Sequence, residues 1–356
     1  MEKFEIIELA CDVFSTISGD LNEGIYKDLN GNLSVKWSTK RSFYACASVR
    51  SSVEEPPLHH IELTYDTATL LYRDIEDYYE YIKFGADNDK FDIWFEGFDY
   101  PKSLSSESQK EHCCKNMFIS GLTWIFFHEL GHLVQEHGYI RKLYDCSGST
   151  DVIDCSSYDN EKYNSTKGKS SAVSHATEMA ADYFATISVL SALLRHFESD
   201  ELENEIKTFS SALALVLYRF HGIKSYSSTE IPEGSHPPPL IRLENTMPLF
   251  FEFYSTQELL KSNGSNMSRL DLINITSWSS FSVGIFWLRK NMQSGVPEDF
   301  FLSGSLQRPG MKKYHRVIID IWDEIKPKID QVKRLDNPFA ELRFSDEYRE
   351  ILQEGC

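Results

Sequence analysis

His128, Glu129 and His132 stand in the order His-Glu-x-x-His within the apolar run 119–138, ISGLTWIFFHELGHLVQEHG. On a helix, residues four apart share one face, so the two imidazoles can meet a single ion while Glu129 sits beside it. Zinc suits these donors. It takes neutral imidazole nitrogen, and a catalytic zinc keeps one position open for water while three protein side chains fill the rest. The chemistry expected is hydrolysis. The ion lowers the pKa of its water towards about 7, and Glu129 accepts the water's proton as general base and returns it as acid.

One Zn2+ per chain therefore needs a third ligand. On a continuous helix turning about 100° per residue, His137 lies roughly 180° round from His128, and Gly138 reads as a C-terminal stop. His137 is thus expected to be dispensable for metal binding. Downstream, residues 175–186, HATEMAADYFAT, have helical composition, with Glu178 and Asp182 one turn apart. Ala180, Ala181 and Ala185 around them are small enough for close helix packing. Glu178 is the expected third ligand, and Asp182 is placed to accept the second ring N–H of a bound histidine, which fixes its tautomer and orientation. His175 competes as a donor but stands where the helix is expected to begin.

At these residues the sequence resembles the gluzincin metallopeptidases, which carry His-Glu-x-x-His on one helix and Glu-x-x-x-Asp on a later one; here these are HELGH and EMAAD. Residues 235–243, SHPPPLIRL, look like the Ser/Thr-His-Pro...Arg segment of the CAAX-protease and bacterial heat-shock membrane peptidase group, which also often has a histidine where His137 stands. The resemblance spans about residues 122–243. By it, His236 approaches the cleft and donates to a developing oxyanion, and Arg242 holds the Glu178 carboxylate or an acidic main-chain end of substrate. No membrane span is read from the apolar runs, and the segment between motifs is polar and serine-rich. A soluble relative is therefore the nearer likeness, such as the phage-exclusion (Lit-type) peptidases that cleave a host cytosolic protein.

Composition agrees with a globular protein: 41% hydrophobic, 13% aromatic and a formal charge of −18 from 36 basic and 54 acidic residues. Such a balance disfavours nucleic acid as the primary partner, because phosphate binding needs a basic face. The start, MEKFEIIELACDVF, has no basic n-region and is not read as a signal peptide. Seven cysteines without Cys-x-x-Cys spacing, and no export signal, point to reduced thiols and a cytoplasmic location. Cys113 and Cys114 are adjacent, unlike separated zinc pairs, and Cys146 and Cys155 are read as free. The final QEGC lacks a prenylation pattern.

The positioning elements follow from periodicity. Residues 1–18 read as a helix ending at Gly19, and Ile25, Lys27 and Leu29, then Asn30-Gly31, then Leu33, Val35 and Trp37, read as a hairpin. Residues 43–49 and 91–95 read as strands, 66–84 as a helix, and 106–137 as the helix bearing the motif. The gluzincin resemblance implies an edge strand that borders the cleft and pairs with extended substrate, for which residues 91–95 or 61–65 are candidates, against the plainer reading of an ordinary half-buried strand. Segment 141–174, rich in Ser, Asp, Asn and Gly, is expected to be a mobile insertion over the cleft. Helices are expected at 175–197 and 202–220, at a third beginning near the Pro237 to Pro239 run, and at 281–290 and 317–329.

The fold class expected is α+β, predominantly helical: a zincin-like catalytic domain at 105–356 behind an N-terminal region, 1–104, containing a small antiparallel sheet. The function expected is a soluble zinc-dependent endopeptidase acting on a cytosolic protein or peptide, in a defence or host-target-cleaving role. The alternative is a non-catalytic, zinc-stabilised binding or regulatory protein. Glu129 separates the two, since a structural site prefers a fourth protein ligand and has no use for this acid.

Overall fold

The computed structural model describes residues 1–85, 110–146, 152–154, 168–222, 230–254, 263–291 and 305–354. The elements run α1 (Lys3–Glu23), α2 (Ile25–Asp28), β1 (Asn32–Ser38), β2 (Ala45–Val49), β3 (Leu58–Thr64) and α3 (Tyr65–Glu80), which ends in a π turn at Tyr81–Gly85. There follow α4 (Lys110–Val134), α5 (His137–Leu143), β4 (Val152–Asp154), α6 (Lys169–His196), α7 (Ser199–His221) and α8 (Pro239–Phe253). Last come α9 (Arg269–Lys290), α10 (Met311–Val332) and α11 (Asp346–Gln353). The chain is α+β and predominantly helical, as its patterning predicts.

Beyond its exposed first turns, helix α4 is buried on nearly every side, which marks a helix enclosed by others rather than one with a wet face. It packs against α1, α3, α6, α7 and β2. Phe118, Leu122, Trp124, Phe126 and Leu133 are all buried there. By length and composition α4 could cross a membrane, with 83% of its most apolar window buried inside the fold. The reading of short apolar runs missed this, because hydropathy averaged along a helix absorbs its Ser, Gly and Thr. One core, reaching from Ile6 through Trp124 to Trp287, joins the N-terminal elements to α4, α7 and α9. A second core lies on the far side of α6, where Ala172, Ala176 and Ala180 meet Tyr314, Ile318 and Trp322 of α10. Helix α6 thus lies between two cores.

Helices α4 and α6 approach closely at Gly131. A methyl group there would stand 3.2 Å from Ala181 Cα and 3.1 Å from Phe184 Cδ1. That approach, with the small Ala181 opposite, brings the Glu178 turn of α6 onto the histidine face of α4. Helix propensity alone makes Gly131→Ala stabilising by about 1 kcal/mol. Overpacking against a backbone atom opposes it by about 1–3 kcal/mol. We therefore expect G131A to be destabilised in denaturant unfolding and to bind metal more weakly; a stabilised variant with unchanged affinity would refute the tight helix contact.

The sheet has the order β1-β3-β2-β4, with β1 parallel to β3 and β2 antiparallel to β3 and β4. It is mixed, not wholly antiparallel, because the expected hairpin is absent. Residues 25–28 form α2, which buries Tyr26 with its hydroxyl hydrogen-bonded to His59 Nδ1 at 2.7 Å. Tyr26 has the opposite parity to Ile25, Lys27 and Leu29, so period-2 counting over so short a run misread the buried position. Gly31 packs on Pro57, where a Cβ would lie 2.5 Å from the carbonyl oxygen, and Asn32 N donates to that oxygen at 2.8 Å. The first helix also continues past Gly19 to Glu23, since Gly19 has open space around it and needs no special backbone.

Residues 61–64 belong to β3, which is flanked by β1 and β2 and has no free edge to offer a substrate. The expected strand at 91–95, the expected division between 104 and 105 and the start of the motif helix near 106 lie outside the described residues. Most of the expected insertion at 141–174 also does. Its ends are not loop, however: Arg141 is in α5, residues 169–174 are in α6, and Arg141, Ser171 and Ser174 are buried. Polar composition concealed helix there because these side chains serve buried partners.

Candidate metal centre

The histidine pair sits in the last two turns of α4, and Glu178 in the third turn of α6. His128 Nε2 is 3.2 Å from His132 Nε2. The nearer Glu178 oxygens are 3.4 Å from His128 Nε2 and 3.3 Å from His132 Nε2. An ion bonded tetrahedrally at about 2.0–2.1 Å sets its ligand atoms about 3.3–3.4 Å apart. The three side chains therefore fit one ion, and they are the group among the described residues able to hold a metal. Each of the three, like Glu129, is at most 2% exposed.

Burying these carboxylates requires compensating charge. Asp182 accepts from Arg242 through both oxygens at 2.6 and 2.8 Å, and lies 2.9 Å from His128 Nδ1. Arg242, expected to hold Glu178 or an acidic main-chain end of substrate, also lies 3.7 Å from Glu178 Oε2, within ion-pair range. Arg141 lies closer. It donates to Glu178 Oε1 at 2.8 Å, to Thr177 Oγ1 at 2.8 Å and to the Ser174 carbonyl at 3.2 Å. Sequence reasoning missed Arg141 because it was assigned to the insertion. The available signal was general: a buried Glu178 demands a cation, but many cations in the chain meet that description. Trp124, also unforeseen, stacks on the His128 ring at 5.3 Å and donates its Nε1–H to Thr186 Oγ1.

His236 lies at the N-terminal side of α8. Its Nε2 is 3.5 Å from Glu178 Oε1, its Nδ1 is 2.8 Å from Ser235 Oγ, and its side chain keeps 15% exposure. Pro239 occupies the first turn of α8, as expected, and turns the chain so that Arg242 faces α6. His175 is separate from the cluster. The helix begins at Lys169 rather than near His175, and His175 is buried with Nδ1 on the Tyr314 hydroxyl and Nε2 on the Glu233 carbonyl.

His137 is not on the motif helix. Helix α4 stops at Val134, Glu136 takes a left-handed conformation with φ 51°, and α5 starts at His137 with Gly138 inside it. The argument that His137 points away from the site therefore fails. Its Nδ1 lies 2.9 Å from His132 Nδ1. Cys113 and Cys114, earlier in α4, are buried free thiols outside the cluster, and Cys146 is also free; Cys155 lies outside the described residues.

Burial pulls the ionisation of His128 down, yet hydrogen bonds to Asp182 and Glu178 prevail and raise its pKa to about 9. Burial pushes His132 down to about 3 and holds His137 neutral as well. Glu178, despite burial, is held well below the ordinary carboxylate range, chiefly by electrostatic interaction with His236 and His132 and by hydrogen bonds with His128 and His132. In the metal-free protein at neutral pH, His128 thus carries a proton on the nitrogen a metal must use. Metal binding should release one proton. We expect apparent affinity to rise about tenfold per pH unit towards pH 9 and to flatten above it. Chelator competition at several pH values measures the slope, and a flat profile would contradict a protonated His128.

The Peptidase U49 family matches the chain over residues 31–259, which include every site residue named above. No curated protein and no solved structure matches it.

Proposed function

The chain belongs to the peptidase U49 family, and from that premise we propose that it is a zinc-dependent endopeptidase acting on a protein or peptide in the cytosol. The observation that carries the reading is the 3.2–3.4 Å spacing of His128 Nε2, His132 Nε2 and the Glu178 oxygens. Two nitrogens and a carboxylate match the donor set of catalytic zinc, which leaves a fourth position for water. Held by these three residues, zinc would supply the Lewis acidity that polarises a carbonyl and acidifies water.

The chain's own residues do the rest. Glu129 accepts the proton of the attacking water and delivers it to the departing amine. Asp182 holds the Nδ1–H of His128, so that Nε2 faces the ion, and Arg242 fixes Asp182 in turn. Arg141 balances the charge of Glu178. His236, partly exposed beside Glu178 and oriented by Ser235, donates to the oxyanion of the tetrahedral intermediate, a contribution of about 10²- to 10³-fold. A dedicated host protein as target fits the resemblance to phage-exclusion peptidases.

The test is incubation of the purified protein in cytosolic extract, with and without a chelator, followed by mapping of new protein termini. New termini that vanish with the chelator and return with zinc are expected. Termini indifferent to the chelator would overturn the zinc reading. A zinc-loaded protein that generates none would favour the zinc-stabilised binding protein.

A further inference from the structure

We propose that His137 is the positioning residue for His132, accepting the hydrogen on His132 Nδ1 and thereby presenting the His132 Nε2 lone pair to the ion. The inference rests on the metal-centre reading above. The two Nδ1 atoms are 2.9 Å apart, the rings meet edge to face at 77°, and both residues are wholly buried, so no solvent substitutes for the contact. Two nitrogens at that distance share one hydrogen. If His137 donated it, His132 would carry its own hydrogen on Nε2, where the ion belongs. Only His132 as donor leaves Nε2 bare, opposite His128 and Glu178 at 3.2 and 3.3 Å. The far nitrogen of His137 has no hydrogen-bond partner among the described residues, so no third group dictates the opposite tautomer.

His137 reaches this place through the break in the helix. A left-handed residue other than glycine is strained and persists only where its surroundings hold it. At Glu136 the holder is Arg334, just beyond α10. Its guanidinium pairs with the Glu136 carboxylate and donates to the Glu55 and Ser52 carbonyls at 2.8 and 2.9 Å, while its backbone N–H donates to the Val134 carbonyl at 2.7 Å. One residue thus ties the last carbonyl of α4, the turn after it and the loop before β3 into a single joint. Arg334 lies outside residues 31–259, so this joint recruits a part of the chain that the family match does not cover.

The first test needs no variant. Long-range ¹⁵N correlation on the zinc-loaded wild type should find His132 protonated at Nδ1 and metal-bound at Nε2. In chelator competition, His137→Phe, which keeps a ring but no acceptor, should lose about 10- to 100-fold in zinc affinity. His137→Asn, whose Oδ1 takes the place of Nδ1, should retain most of it, and Arg334→Met should fall between them. A His132 ligated through Nδ1, or equal losses in the Phe and Asn variants, would overturn the assignment of His137 alone. A wild type that binds no zinc would overturn the metal centre and this inference together. If the Phe variant does not fold, the wild-type spectrum still decides.

Discussion

Glu129→Gln should leave a folded, metal-loaded protein whose peptide hydrolysis falls by at least about 10²- to 10⁴-fold. Glutamine has nearly the shape of glutamate and can still hydrogen-bond a water, but it cannot take a proton at neutral pH. Glu129 is fully buried in α4 between the ligand histidines, so the isosteric change disturbs packing little. The measurements are the rate of appearance of the chelator-sensitive termini, zinc content and thermal unfolding. Full retention of cleavage would remove Glu129 from the reaction. Loss of zinc along with cleavage would instead make it part of the binding site.

Glu178→Ala carries the other large effect, and it acts twice. It removes one of three donors, so zinc binding should be lost at micromolar metal. It also strands Arg141, whose guanidinium is 2.8 Å from Glu178 Oε1 in a buried setting. Leaving one partner of a buried pair uncompensated costs about 3–5 kcal/mol. The double variant Glu178→Ala/Arg141→Met should recover much of that stability, since the Arg141 charge is no longer left without its partner, yet bind no more zinc than the single variant. Denaturant unfolding of the metal-free proteins, with zinc titration in parallel, separates the two effects. Recovery of zinc binding in the double variant would show that Glu178 serves only to neutralise Arg141.

The parts of the site legible in the sequence are those set by helical periodicity. His128 and His132 one turn apart, and Glu178 and Asp182 one turn apart, need only that each segment be helical, and composition is a good guide to that. Small residues at Ala180, Ala181 and Ala185 further signalled close helix packing, and Gly131 is where the structure meets it. The misreadings share a cause. The absent hairpin, the supposed stop at Gly138 and the helix carried through to His137 all rested on local rules for Gly and Asn-Gly, whereas the breaks fall where tertiary partners hold the backbone.

By itself, then, the sequence determined the histidine pair, the acid beside it, the carboxylate one helix later and the predominantly helical class, because each depends on spacing within one element. Tertiary structure decided which cation answers which carboxylate: Arg141 for Glu178 and Arg242 for Asp182. It also decided that His137 faces His132, because the turn that brings it there is made at Glu136, a residue with no intrinsic preference for φ 51°. Left-handed backbone at such a residue is stable only through its contacts, and its clamp, Arg334, lies 198 positions away in the chain. No local pattern encodes a contact of that range.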